Sequence, residues 1–162
     1  MTTITRNSLV TYTPEQMYDL VNDIEAYPNF LPWCRASKII SQSEQEISAS
    51  LDLAKGGIHH VFSTRNKLTP GKAIDIQLID GPFQHLEGHW QFAMIGDNQG
   101  CRVQLDMDFE FSNRLISLAL GPVFTQISGS LVDAFCKQAD DIYGKWHAAY
   151  WSRLCPTDRA TY

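Results

Sequence analysis

The order of hydrophobic periods along this chain predicts an α+β domain: a curved, seven-stranded antiparallel sheet gripping one long C-terminal helix, with two short helices after the first strand. Three observations carry that reading. Apolar and polar residues alternate with period two over most of the stretch from Trp33 to Phe111. Gly56-Gly57 and Pro70-Gly71 interrupt the alternation as tight turns, which makes neighbouring strands antiparallel. After Phe111 the apolar period becomes helical, and a long amphipathic helix has to lay its stripe on the apolar face of the sheet.

Ile4–Tyr12 reads as the first strand. Thr13 then offers an N-cap, Pro14 sits at the first helical position, and Gln16 completes a capping box. Met17, Leu20, Val21 and Ile24 give this first helix its apolar stripe. Pro28 and Pro32 restrict the next segment to one brief helical turn around Pro28–Leu31, before the chain is released into a strand at Trp33.

In the strands, Ile47, Ala49, Leu51 and Leu53 alternate with Ser48, Ser50 and Asp52. Ile58, Phe62 and Leu68 share a face opposite Ser63, Arg65 and Lys67, and Ile74, Ile76 and Leu78 form the next apolar row. The clearest alternation is the last, where Cys101, Val103, Leu105, Met107, Phe109 and Phe111 oppose Arg102, Gln104, Asp106, Asp108 and Glu110. Such patterning means one buried and one wet face.

Asn113 predicts the cap of a short helix over Arg114–Leu120, broken at Gly121-Pro122. From Pro122 to about Tyr150, the residues Val123, Ile127, Leu131, Phe135, Ile142 and Trp146 predict a helix of roughly 40 Å. Residues 1–150 form a single domain on this reading, and 151–162, with Pro156, a flexible tail.

At 162 residues, 44% hydrophobic and 19% charged, the chain has the composition of one globular domain. Its net charge of −5 argues against broad electrostatic capture of nucleic acid, DNA included. The clusters Arg35/Lys38 and Arg65/Lys67/Lys72 read as solvated faces, with a small local patch left open. Met1 is followed by Thr2 and Thr3 without a signal-peptide pattern, and no 18 consecutive apolar residues occur. The expectation is a cytoplasmic protein without a transmembrane segment. Cys34, Cys101, Cys136 and Cys155 lie far apart and form no C-x-x-C pair, so reduced thiols are expected.

In GPFQHLEGHWQF, the core-seeking residues are Leu86, Gly88, Trp90, Phe92 and Met94. His85, Glu87 and His89 then point to the wet face. Strand positions four apart are separated by roughly 13 Å, so His85 and His89 do not readily share an ion, and no metal site is expected. There is no G-x-S-x-G elbow, H-E-x-x-H, P-loop or dinucleotide fingerprint. Asp106/Asp108 and Asp140-Asp141 read as solvated charges. Neither catalytic residues nor a cofactor are expected.

The stretches VNDIEAYPNFLPWC (Val21–Cys34), LIDGPFQHLEGHWQF (Leu78–Phe92) and NRLISLALGPVF…LVDAFCKQADDIYG (Asn113–Gly144) resemble the coenzyme Q-binding, polyketide-cyclase-like family of START-type domains. Its bacterial members include a ribosome-association toxin. The resemblance runs from about Thr5 to Gly144 and implies a helix-grip fold, of the START/Bet v 1 kind, with an apolar cavity between sheet and long helix. It implies non-catalytic binding of a hydrophobic, ubiquinone-like molecule, in support of respiration in the eukaryotic relatives. The alternative it carries is association with the large ribosomal subunit and a block on subunit joining, with a small antitoxin-like protein as partner. A cyclase-type enzyme ranks third. Transient membrane contact is compatible with a lipid ligand.

Within that frame, Trp33, Phe62, Phe83, Trp90, Phe92, Phe109 and Phe135 are the expected pocket wall. Pockets of this type run to roughly 300–1,000 Å³. His60 shares the parity of Ile58, Phe62 and Leu68, together with Thr64 and Asn66. Two readings of His60 stay open: a donor to a ligand carbonyl, or a core histidine bonded to backbone.

Overall fold

The computed structural model describes residues 1–97 and 100–144. Seven strands form one sheet: β1 (Thr2–Val10), β2 (Cys34–Gln42), β3 (Glu46–Lys55), β4 (Ile58–Thr69), β5 (Ala73–Asp80), β6 (Phe83–Ile95) and β7 (Gly100–Phe111). The sheet order is β1-β7-β6-β5-β4-β3-β2, and every neighbouring pair is antiparallel. The two edges are therefore β1 and β2, consecutive in sequence. The segment between them must cross the sheet, and it does so as α1 (Pro14–Asn22) followed by a short 3₁₀ helix (Ile24–Asn29).

The capping box at Thr13 forms in both directions. The backbone N–H of Gln16 donates to Thr13 Oγ1 at 3.1 Å, and the backbone N–H of Thr13 donates to Gln16 Oε1 at 2.9 Å. Ser37 of β2 donates its hydroxyl to the carbonyl of Ile24 at 2.8 Å and ties the 3₁₀ helix to the far edge. Between β3 and β4, Gly56 and Gly57 both have positive φ (60° and 80°), as a two-residue turn matched to strand twist requires.

Helix α2 runs unbroken from Arg114 to Ala139 and passes into a π-type turn at Asp140–Gly144. Asn113 caps it, accepting from the N–H of Ile116 at 2.9 Å. The break expected at Gly121-Pro122 does not occur. Pro122 lies on the exposed side of the helix and Leu118, four residues before it, is 71% exposed, so water can satisfy the carbonyl that proline leaves unbonded.

The buried stripe is also phased differently from expectation: it consists of Leu120, Phe124, Ile127, Ser128, Val132, Phe135 and Ala139. Val123 and Leu131 flank it, and Ile142 is exposed. Trp146, the expected end near Tyr150 and the 151–162 tail lie outside the described residues. By length and composition alone, Arg114–Gly144 is apolar enough to cross a membrane. In the fold its stripe packs on the sheet, while Leu115 (80%) and Leu118 stand in solvent.

Two local effects modify the alternation in β6, one of them a register shift. The pairing shifts between Phe83↔Phe111 and His85↔Glu110, so one extra residue on β6 turns Phe83 inward although its parity with Leu86 says otherwise. At the other end Met94 is 59% exposed, although Cys101, its partner on β7, is fully buried.

Candidate functional site

Between the inner face of the sheet and α2 lies a cavity of about 80 Å³. The sheet contributes Ala49 and Leu51 from β3, Phe62, Thr64 and Asn66 from β4, Ile76 from β5, Leu86 and Trp90 from β6, and Met107 from β7. Ile24 and Tyr27 reach it from the 3₁₀ helix, Trp33 from the connection that follows, and Phe124, Ile127, Ser128, Leu131 and Phe135 from α2. The volume falls well below the several hundred Å³ expected. Aromatic side chains occupy the difference: Phe135 sits edge-on to Tyr27 at 5.4 Å, to Phe30 at 5.3 Å and to Trp90 at 5.4 Å between ring centroids.

Of the expected wall, Trp33, Phe62, Trp90 and Phe135 line the cavity. Phe83 and Phe109 do not; they pack with Phe111 around Phe124, at centroid distances of 4.9 Å (Phe83) and 4.7 Å (Phe109) from it. Phe92 stacks beside Trp90 and meets Tyr18 of α1 edge-on. His60 is half-buried and lies outside the lining, whereas Thr64 and Asn66, further along the same face, are within it.

Three buried polar side chains interrupt the apolar wall. Thr64 donates its hydroxyl to Asn66 Oδ1 at 3.1 Å. Ser128 is 1% exposed, and its hydroxyl finds no hydrogen-bond partner among the described residues. Ser128 escaped the sequence reading, although its signal was there: Leu120, Phe124, Ser128 and Val132 recur every four residues, which puts a hydroxyl in an otherwise apolar row. Tyr27 lines the cavity too, but its hydroxyl is taken up by the carbonyl of Val21. Burial, with Cys34 and Asp23 adding to it, pushes the Tyr27 phenol far up. Among the described residues the lining contains no charged side chain, histidine or cysteine.

The outer face of the sheet is polar. His89 of β6 pairs with Asp75 of β5 and lies opposite Asp106 of β7, while His85 Nε2 is 3.9 Å from Glu87 Oε2. A shallow groove there carries Asp75, Glu87, His89, Asp106 and Asp108, with Lys67 at its border. Among the described residues no three His, Cys, Asp or Glu side chains come together as a metal ligand set. The basic cluster of β4 is partly neutralised, since Arg65 pairs with Glu46 at 3.0 Å.

A curved antiparallel sheet closed by a long C-terminal helix over an apolar cavity is the helix-grip, START-like architecture. The Zhui aromatase/cyclase of a Streptomyces species superposes with a TM-score of 0.76 at 15% identity, covering 86% of this chain and 93% of that one. An 18 kDa protein from Caulobacter crescentus gives a TM-score of 0.69 at 26% identity, covering 89% and 99%. The family described as polyketide cyclase / dehydrase and lipid transport matches residues 10–136, and the chain belongs to that family. Its relatives include the ribosome association toxin RatA of Pseudomonas aeruginosa, 44% identical over 88% of this chain and 99% of that protein. The protein of the same name in Escherichia coli is 43% identical, over 88% and 90%. More distant is the mitochondrial coenzyme Q-binding protein COQ10 homolog B of Xenopus laevis, 31% identical over 83% of this chain and 56% of that one.

Proposed function

We propose that this protein associates with the ribosome, binding the large subunit and hindering subunit joining. The observation that carries the reading is the 44% identity with a ribosome association toxin along 99% of that protein's length. It takes precedence over the ubiquinone reading, whose named relative is more distant and longer than this chain. The Arg65/Lys67 patch of β4 favours contact with ribosomal protein over contact with RNA. Lys67 borders acidic Asp75, Glu87, Asp106 and Asp108, and Arg65 is engaged by Glu46, so little free positive charge is left there for phosphate. Co-sedimentation with purified subunits tests the proposal. It requires binding to large but not small subunits and a reduced yield of joined ribosomes; a protein left in the supernatant with both subunits refutes it.

A second function rests on a different observation, the cavity. Its apolar wall with a few buried polar groups supports non-catalytic binding of a hydrophobic molecule, and the one ionisable group in the described lining, the Tyr27 phenol, is bonded to the carbonyl of Val21 and pushed far up by burial, which ill suits acid–base work. Solvent extraction of the purified protein, with native mass spectrometry, should recover a stoichiometric apolar compound. An empty protein that also takes up no added apolar compound would sink this reading and leave the first untouched. The two functions are compatible, because the cavity is internal and ribosome contact uses the surface.

A further inference from the structure

We infer that the cavity recognises an uncharged apolar molecule by its carbonyl-type oxygen, through hydrogen bonds donated by Ser128 of α2 and Asn66 of β4. The inference rests on the reading of the cavity as a ligand site and specifies the chemistry of its occupant.

Ser128 occupies a position on the buried stripe where the pattern calls for an apolar side chain, four residues after Phe124 and four before Val132. A hydroxyl buried there without a partner is costly unless something in the cavity answers it. Asn66 faces the same cavity from the sheet. One of the two lone-pair sites of its Oδ1 accepts from Thr64, and the NH₂ group of the same amide can donate to a ligand. One wall therefore presents a hydroxyl and the other an amide donor. Their common complement is an acceptor oxygen.

The charge of the ligand follows from the same wall. No cation is present among the described lining residues, so a carboxylate would be desolvated without compensation, whereas a ketone, ester or quinone-type carbonyl would not. Size sets the rest of the geometry. A cavity of about 80 Å³ takes the carbonyl end and a few carbons, and a longer hydrocarbon has to leave it. Four lining residues, Tyr27, Leu51, Ile76 and Leu131, are only half-buried, so the wall is not closed everywhere by core side chains.

The full-length protein would be titrated with 2-octanone, n-octane and octanoate, following the fluorescence of the cavity tryptophans Trp33 and Trp90. Carbonyl-labelled ketone would report the hydrogen bonds directly: its bound ¹³C resonance in the parent would lie downfield of that in Ser128→Ala. The inference requires that ketone outbind octanoate, and that Ser128→Ala and Asn66→Leu each weaken the ketone about three- to tenfold while leaving octane unchanged. Ser128→Ala keeps a helix-favouring residue and decides alone should Asn66→Leu not fold. If octane and ketone respond alike to both substitutions, or octanoate binds as tightly as ketone, the hydrogen-bond assignment is overturned while the cavity remains a ligand site. If none of the three probes enters, the ligand reading falls with it.

Discussion

Thr64 donates its hydroxyl to the Oδ1 of Asn66 over 3.1 Å, two residues along the inner face of β4, so the buried hydroxyl of one is answered by the amide oxygen of the other inside an apolar wall. Removing the donor leaves an amide oxygen buried without a partner. Thr64→Val, nearly isosteric, is expected to cost about 1–2 kcal/mol for that reason. Urea denaturation measures it, and an unchanged midpoint would mean that the pair contributes no stability.

Phe124 is the hub of the aromatic cluster, meeting Phe62, Phe83, Phe109 and Phe111 while also lining the cavity. Phe124→Ala should destabilise the fold by about 3–5 kcal/mol and join the space it vacates to the cavity. A larger apolar probe would then bind the variant better than the parent. A loss below about 1 kcal/mol would show that the cluster collapses onto the gap.

At the turn between β5 and β6, Gly81 has φ of 150°, and a Cβ built there would lie 2.6 Å from Cβ of Phe62. Gly81→Ala strains the backbone and pushes a cavity-lining ring at once. The expected loss is about 1–3 kcal/mol, accompanied by altered probe binding. A variant of parental stability and affinity would show that the turn adjusts without moving Phe62.

Alkaline pH should unfold the protein through its phenols. Tyr12 is pushed up to about 12, chiefly by burial and then by its hydrogen bond to Asp140, and burial likewise raises Tyr18, Tyr27 and Tyr143. A raised phenol resists ionisation in the folded state, whereas the unfolded chain ionises near the ordinary value of 10.0. The associated stability is therefore whole below about pH 10 and is lost as pH climbs toward about 12. Phenolate absorbance should lag behind that of free tyrosine and rise together with loss of circular dichroism. Ionisation of all six tyrosines near pH 10 with the fold intact would contradict the assignment.

Burial pushes the thiols of Cys34 and Cys101 up to about 11, and raises that of Cys136. At pH 8 so little thiolate is present that alkylation of Cys34 and Cys101 should run about a hundredfold slower than for an exposed cysteine. Peptide mapping after iodoacetamide treatment, native against urea-unfolded, reads this out. Equal labelling in both states would show that the sites open freely.

The sequence by itself determined the seven strands, their antiparallel pairing, the Thr13 cap and the long final helix, because each follows from local periods and from turn and cap chemistry. Family likeness was legible for the same reason, in three continuous stretches. The tertiary structure decided which of the expected wall residues line the cavity and which pack elsewhere. A bulge opposite Glu110 turned Phe83 inward against its parity, and solvent on the Pro122 side let α2 run through a proline. The phase of the stripe brought Ser128 inside and left Leu131 on the flank. Cavity size was equally hidden, since it is the small remainder after Phe124, Phe135 and Trp90 interlock across elements far apart in the chain. Period two or 3.6 says which face a residue takes; only packing between faces says whether space is left there, and for what.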